Sequence, residues 1–519
     1  MQVLSKDGDE VRLLYSAREE VEVGENIKIW DASKKRGVIV QIIELNLADV
    51  PGIREDLIRN ESVKADKIME YVPKGLKQFV SDIRNMKLAL GKIRKEVVGD
   101  DLSVIPWSGW MPDREAEVEP AEDSWLLSKL GVGEPFPILM GKTIYGKATF
   151  NVSAYDIQEG GTTVITGKKG TGKSHAAKML LIGLIKHGAR CIVFDINDEY
   201  SGLSKTIEDE HINGKIIKLE PGANLQFLAP YIGVTIIAKM LRSQMGAGDP
   251  SIYDFERTWY RLQRANQIIT LDTLIGALLP FEDNTNSQNV SKVTAGAIIR
   301  RLRSLERTRI FTDRPDAAVT IENELKKLGE GGALVFNLRG KRGDIRNIVV
   351  STILSKLENL LDTDKKHPPI FIFAEEAHLY IEGTDWDNIV TRMRHLGTYQ
   401  FYITNTPTML PEMLIRQTDN LFLFNLMNDE DYSFIAPAAH LDTTTIRHVA
   451  KALPPRTCMV IGTATRDFPF VISTAPLNYA AGETRRFFKF DGTTATKASF
   501  RESDEKVVSP KSENEEFSL

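Results

Sequence analysis

The run Gly167-Lys168-Lys169-Gly170-Thr171-Gly172-Lys173-Ser174 has the spacing G-x-x-x-x-G-K-S. Glycines so placed let successive backbone N–H groups turn onto phosphate oxygens, and a helix opening at the lysine adds the positive end of its dipole. The context suits that chemistry. An apolar stretch, TTVITG, precedes the run, and SHAAKMLLIGLIKHG follows it with helical spacing. Gly167, Gly170, Thr171 and Gly172 are expected to form a phosphate cradle, with His175 and Ala176 in the first turn of the helix beside it. Lys173 is expected to reach the β- and γ-phosphates, and the Ser174 hydroxyl to ligate Mg²⁺. The implied ligand is ATP with Mg²⁺.

Such a cradle needs acids on a neighbouring strand. Ile370-Phe371-Ile372-Phe373-Ala374 reads as a buried strand and ends in Glu375-Glu376-Ala377-His378. Two carboxylates at the end of an apolar strand are costly unless they serve a cation or a proton transfer. Glu375 is expected to hold Mg²⁺ through water and Glu376 to polarise the attacking water. The alternative is a solvated strand end. A second acidic strand end is Cys191-Ile192-Val193-Phe194-Asp195. The strand after a cradle helix often lies close to it in the sheet, which could turn Asp195 to the nucleotide; a helix or turn cap is the alternative, stronger for Asp198 than for Asp195. Asn405 ends the strand-like Tyr399–Thr404 run and is placed to sense the γ-phosphate; an ordinary turn residue is the alternative. Upstream, Arg392 and Arg394 sit before Gly397. Either serves the helix-end dipole, or Arg394 reaches a neighbouring subunit's site and stabilises charge on the transferring phosphoryl group.

These residues need a parallel sheet to position them. From about residue 141 the chain alternates strand, loop and helix, the pattern of an α/β domain. Further strands are expected at GALVFNL, NLFLFNL and TCMVIGTA, and residues 232–330 read as mostly helical. Residues 1–50 read as short strands (VRLLYS, NIKIW, GVIVQIIEL) and suggest a small β-barrel. Residues 52–97 carry helical spacing, and residues 98–140, with their prolines, Trp107 and Trp110, read as an irregular connector. The expected domains are 1–135, a β-barrel with a helical insertion; 136–230 and 326–481, the two parts of a RecA-like P-loop ATPase core; 231–325, an inserted helical bundle; and 482–519, a flexible tail.

The 519 residues carry a net charge of −5. A uniformly basic nucleic-acid coat is excluded, though a cleft or ring can still gather Lys and Arg on one surface. Two cysteines, Cys191 and Cys458, stand in apolar runs and read as buried thiols of a cytoplasmic protein. No apolar stretch is long enough to span a bilayer, so no membrane is expected.

The order of GKKGTGKS, VFDINDEY, FIFAEEAH, TRMRHLG and TNTP resembles the HerA branch of the HerA–FtsK superfamily. VEVGENIKIW and RGVIVQI look like the small barrel that precedes the motor in that family. The resemblance implies a homohexameric translocase or helicase on double-stranded DNA that works with a NurA-like nuclease in end resection and break repair. Related defence systems pair such motors with other effectors, which leaves an ATPase scaffold for an effector nuclease as an alternative. A polypeptide-threading ATPase is a further one. The resemblance implies a catalytic role for Glu376, an arginine finger at Arg394, an important acid at Asp195 and nucleotide-base proximity for Ser473 and Thr474. Glu375 stands where the family frequently has aspartate, and Asn405 where it usually has glutamine. A translocase grips phosphates without reading bases. Arg339-Gly340-Lys341-Arg342-Gly343 is the leading loop for that purpose. The run Arg300, Arg301, Arg303, Arg307 and Arg309 reads first as a solvated helix face.

Overall fold

The structure is a computed structural model that describes residues 1–16, 18–48, 86–205, 214–283, 292–381, 393–439, 441–451, 453–477, 488–490 and 495–497. The N-terminal strands are β1 (Gln2–Asp7), β2 (Glu10–Tyr15), β3 (Asn26–Asp31), β4 (Arg36–Leu47), β5 (Lys87–Val98), β6 (Ser103–Pro106) and β7 (Glu117–Pro120). They pair antiparallel in the order β1-β2-β5-β4-β3-β7, with β6 on β5. The sheet curls until β1 and β7 approach each other. Among the described strands no hydrogen-bonded ladder closes it into the barrel expected from the sequence.

Two expectations for this region need correction. Helical spacing was expected through residue 97, yet Lys87–Val98 is the central strand between β2 and β4. Its register shifts where Ile39 faces Lys95 and Val40 faces Ile93, so Arg94 takes an extra position. Such a bulge breaks the alternation of period two and hides a strand among charged residues. Gly91 marks the same strand, because a Cβ there would run into Val40 Cγ1. The connector is likewise not irregular throughout. It contains β6, β7 and helix α1 (Asp123–Leu130). The expected helical insertion of residues 52–85 lies outside the described residues.

The chain continues through β8 (Pro137–Thr143), β9 (Thr149–Ser153), α2 (Ala154–Gly160), β10 (Thr162–Thr166), α3 (Lys173–Lys186), β11 (Arg190–Asp195) and β12 (Ile216–Leu219). Six helices follow: α4 (Ala229–Ile232), α5 (Val234–Ser243), α6 (Asp249–Arg264), α7 (Leu271–Asp283), α8 (Lys292–Glu306) and α9 (Ile321–Lys327). The chain then returns to the sheet with β13 (Gly332–Asn337), α10 (Gly343–Thr363), β14 (Ile370–Glu375), β15 (Thr398–Thr404), α11 (Glu412–Arg416) and β16 (Asn420–Leu423). It ends with α12 (Asp429–Ala439), α13 (Thr443–Ala450), β17 (Thr457–Gly462) and β18 (Phe470–Thr474).

The eleven described strands from β8 to β18 form one sheet in the order β12-β13-β11-β14-β15-β10-β16-β17-β18-β8-β9. The pairs from β12 to β16 are parallel and those beyond are antiparallel. β11, β13 and β14 read as near-continuous apolar runs because both of their faces are covered. On β11, Ile192 and Phe194 join the core shared with α10 and the inserted helices, while Cys191 and Val193 join the core shared with α3. Phe373 and Phe401 stack at 4.2 Å in the second core and hold β14 against β15. Both thiols, Cys191 and Cys458, are free and buried, and burial pushes them up.

The N-terminal sheet is tied to the larger one. Gln41 Nε2 donates to Pro469 O at 2.8 Å, and Lys92 pairs with Asp442 at 3.1 Å. Residues 482–519 form a separate unit in which Phe488–Phe490 pairs antiparallel with Ala495–Lys497. Most of the tail expected to be flexible lies outside the described residues. No helix among the described residues is long and apolar enough to cross a membrane.

Candidate functional site

In a parallel sheet, ligands sit beyond the carboxyl ends of the strands. Register decides which ends meet here. Thr166 of β10 is level with Thr404 of β15, and Glu375 of β14 with Ile403. The turn after β10, the acids after β14 and Asn405 after β15 therefore share one edge.

The cradle is built by steric exclusion. Gly167 has φ +154°, and a Cβ there would run into Phe424 Cβ. Lys168 N donates to Asn425 O at 2.7 Å, and Thr171 Oγ1 to Lys168 O at 2.8 Å. Gly170 has φ +83°. Helix α3 starts at Lys173 with Gly172 as its N-cap at φ +118°, and no side chain caps it. Its first N–H groups thus keep their donor capacity for an anion. Lys173 is only 7% exposed and donates from Nζ to Lys168 O at 3.1 Å. Burial lowers its pKa, opposed by the charges of Glu376 and Glu375.

Glu375 is 1% exposed. Its Oε1 accepts from Ser174 Oγ at 2.7 Å and its Oε2 from Tyr200 Oη at 2.7 Å. A buried carboxylate joined to the cradle serine is a hard-oxygen set suited to Mg²⁺. Glu376 follows in the left-handed region at φ +46°, rare for a side chain of this kind. Asn405 Nδ2 donates to its Oε1 at 3.4 Å. Its Oε2 is buried and accepts no hydrogen bond among the described residues, with His378 Nδ1 at 3.6 Å. His378 Nδ1 also lies 3.0 Å from Thr404 Oγ1, and burial lowers its pKa. A carboxylate oxygen held in place with spare acceptor capacity is what a water-orienting base requires. These side chains fit a nucleoside triphosphate with Mg²⁺: α3 and Lys173 for the phosphates, Ser174 and Glu375 for the cation.

The structure brings together Gly167, Gly170, Thr171, Gly172, Lys173, Ser174, Glu375, Glu376 and Asn405. It places the other candidates differently. His175 Nε2 lies 2.7 Å from Ala475 O, and Thr474 Oγ1 donates to Arg456 O at 3.1 Å. Arg456 N in turn donates to Thr171 O at 2.7 Å, so the end of β18 is stitched to the cradle. Ser473 is exposed on that strand. Ala176 presents no polar group to the cleft, since its methyl is in the core and its N–H bonds Gly172 O.

Asp195 requires a correction. β14 and β15 stand between β11 and β10, so the strand after the cradle helix is not its neighbour. Asp195 is fully buried and spends its oxygens on its own loop: Oδ1 accepts from the N–H of Asn197 and Glu199 at 3.1 Å, and Oδ2 from that of Tyr200 at 2.9 Å. Burial still raises its pKa. Asp198 pairs with Lys218 at 3.1 Å. Arg392 lies outside the described residues. Arg394 falls within the 3₁₀ turn Met393–Leu396, and its side chain lies outside the described residues.

The expected grip loop is largely neutralised within the chain. Lys341 pairs with Glu220 at 3.4 Å and Arg342 with Asp344 at 2.6 Å, while Arg339 is exposed. In the helical run, Arg301 is structural and donates to the carbonyls of Met245, Gly246 and Ala297; Arg300, Arg303, Arg307 and Arg309 are exposed. Sequence reasoning missed Tyr200 and Arg456. Tyr200 had a signal, lying in the loop that the Asp195 strand end opens. Arg456 had none, because it acts through its backbone.

Burial pushes the Glu375 carboxyl up to about 7 from an ordinary 4.5. The folded chain without metal therefore keeps a proton there that the unfolded chain releases near 4.5. Stability falls as pH rises through the window from 4.5 to about 7, by roughly 3 kcal/mol from this group. Glu375→Gln removes the titration. In EDTA, its thermal midpoint is expected to match wild type near pH 5 and exceed it near pH 8. Parallel pH profiles of the two proteins would contradict this.

A glycine-lined cradle on a parallel sheet, with carboxylates on an adjacent strand end, defines an α/β P-loop nucleoside triphosphatase. Residues 163–357 match the family model described as the central domain of helicase HerA. Over those residues the chain is similar to HerA-type ATPases. Among solved structures, VirB4 of Thermoanaerobacter pseudethanolicus is 14% identical with a TM-score of 0.50, covering 67% of this chain and 98% of that one, which shows a shared fold. The unbound bacterial conjugative coupling protein TrwB is 15% identical with a TM-score of 0.49, over 70% of this chain and 94% of that one. TrwB in complex with ADP and Mg²⁺ is 16% identical with a TM-score of 0.48 and the same coverage. No curated protein matches the chain.

Proposed function

We propose that this chain hydrolyses ATP to move along double-stranded DNA without reading its sequence, as a homohexameric translocase or helicase of the cytoplasm. The observation that carries the chemistry is the pair of adjacent carboxylates: Glu375 joined to Ser174 at 2.7 Å, and Glu376 beside Asn405 with a buried oxygen that accepts no hydrogen bond among the described residues. The HerA match over residues 163–357 supports the extension from ATPase to DNA motor. Glu376 orients the attacking water, Lys173 and the cradle hold the phosphates, and Asn405 senses their loss. Arg394 completes the site of a neighbouring subunit, and a NurA-like nuclease in break repair is the partner. Residues 136–230 and 326–481 form a RecA-like core around a helical insertion at 231–325, preceded by an N-terminal module at 1–135.

The test compares ATP turnover with duplex DNA of unrelated sequences, with unfolded protein and alone. Stimulation by every duplex, together with displacement of a bound roadblock protein, is the expected result. Stimulation by unfolded protein alone would move the reading to polypeptide threading. Turnover without roadblock displacement would leave a scaffold that activates an effector nuclease.

A further inference from the structure

The geometry points to Tyr200 as a positioning residue that fixes Glu375 for a divalent cation, with Asp195 holding Tyr200 in turn. This rests on the ATPase reading above. Glu375 stands at the end of β14, and nothing on its own strand orients its carboxylate. Two donors from elsewhere do so. Ser174 Oγ meets one oxygen and Tyr200 Oη the other, each at 2.7 Å. Ser174 is also the residue that a Mg²⁺ ion would recruit as a ligand. Once its oxygen faces the metal, Tyr200 is the donor whose bond to Glu375 does not depend on the cation. Carboxylates that serve metals need such outer donors to fix which lone pair points at the ion.

Tyr200 is itself immobilised. Its ring is fully buried, and Lys178 Nζ lies 5.5 Å from the ring centroid while pairing with Glu199 at 3.0 Å. Its N–H is the donor that Asp195 Oδ2 accepts. A buried carboxylate that takes three amides of one loop fixes that loop's shape, including the residue that ends it. Asp195 therefore acts on the cation through Tyr200, on a strand separated from that of the cradle by β14 and β15, and does not touch the nucleotide.

The alternative is a tyrosine that only packs. It predicts lost stability without any selective effect on the metal. The experiment uses the full chain as wild type, Tyr200→Phe, Asp195→Asn and the double variant. Mn²⁺ replaces Mg²⁺, and its binding in the presence of ADP is read from the free-ion paramagnetic resonance signal. Binding of a fluorescent ADP in EDTA is read separately. Tyr200→Phe is expected to weaken Mn²⁺ binding about tenfold, the scale of one lost hydrogen bond to a charged acceptor. Metal-free ADP binding is expected to stay unchanged. Asp195→Asn shifts the same way, and the double variant adds little, because both act through one bond. Equal Mn²⁺ affinity in wild type and Tyr200→Phe overturns the inference, as does an equal loss with and without metal. A wild-type chain that binds no Mn²⁺ with ADP sinks the ATPase reading and this inference together. Wild-type binding with an unresponsive Tyr200→Phe sinks this inference alone. Should Asp195→Asn not fold, the Tyr200→Phe comparison decides by itself.

Discussion

Glu376→Gln is expected to bind ATP as wild type does and to hydrolyse it about a thousandfold more slowly, within the range that positioned general bases supply. The amide keeps the volume of the side chain and can still meet Asn405. It loses the acceptor that distinguishes this residue, the buried Oε2 with no hydrogen bond among the described residues. No hydrogen bond of the cradle described here uses that oxygen, since Lys173 Nζ, Thr171 Oγ1 and Lys168 N bond to backbone carbonyls. Binding and turnover should therefore separate cleanly. A single-turnover measurement, with nucleotide bound before Mg²⁺ is added, isolates the chemical step from product release. A rate close to wild type would transfer the water-orienting role to another group, and His378 is the nearest candidate. The left-handed backbone at Glu376 makes a second substitution informative. Glycine tolerates φ +46° better than any side chain, so Glu376→Gly should fold well and still fail to turn over. Loss of activity with gain of stability at one residue is the mark of strain held for function.

The contrast with Glu375 follows from burial. Glu375 has both oxygens occupied and holds its proton to about neutral pH, which suits the proposed role of a ligand whose cation would displace that proton. Glu376 has one oxygen spare. The roles proposed for the two follow the order expected from the sequence. What that expectation relied on was local: an apolar run says where the strand is, and the first polar residues past it say where the sheet edge lies. The cradle is legible for the same reason, since its glycines, lysine and serine act within eight consecutive residues.

Features that depend on pairing over long distances were not legible. Tyr200 and Glu375 are 175 residues apart and meet because β11 and β14 are neighbours. Sequence order suggests instead that β11 lies beside β10, which is why Asp195 was expected to face the nucleotide. The β5 strand was hidden by a bulge and a run of charges, although its partners β2 and β4 were recognised. The basic loop at residues 339–343 looked like a free cationic surface. Glu220, which neutralises Lys341, is 121 residues upstream and cannot be matched to it without the fold. Local chemistry is thus readable in one dimension, whereas charge balance and second-layer support are properties of the sheet order.

Lys173→Ala should produce the other large effect, and of the opposite kind to Glu376→Gln. The ammonium is almost wholly buried, its pKa is lowered by that burial, and it sits in the field of Glu375 and Glu376. Keeping a cation there is unfavourable without a compensating anion. The two carboxylates supply part of the compensation and the β- and γ-phosphates would supply the rest. Removing the side chain leaves the phosphates facing two acids with no cation but the metal. Charge-assisted hydrogen bonds of this type contribute about 1.5–3 kcal/mol each, so ATP affinity should fall by roughly ten- to a hundredfold. ADP lacks the γ-phosphate and should lose less. Comparing the two nucleotides by equilibrium binding in EDTA and in Mg²⁺ tests whether Lys173 acts on the terminal phosphates. An equal loss for both would place the ammonium on the shared phosphates only. The fold should survive, because alanine is a good helix residue at the first turn of α3 and the side-chain hydrogen bond lost is the one to the loop carbonyl of Lys168. A Lys173→Ala chain that melts like wild type and binds ATP as tightly would show that the glycine loop and the helix end hold the phosphates unaided.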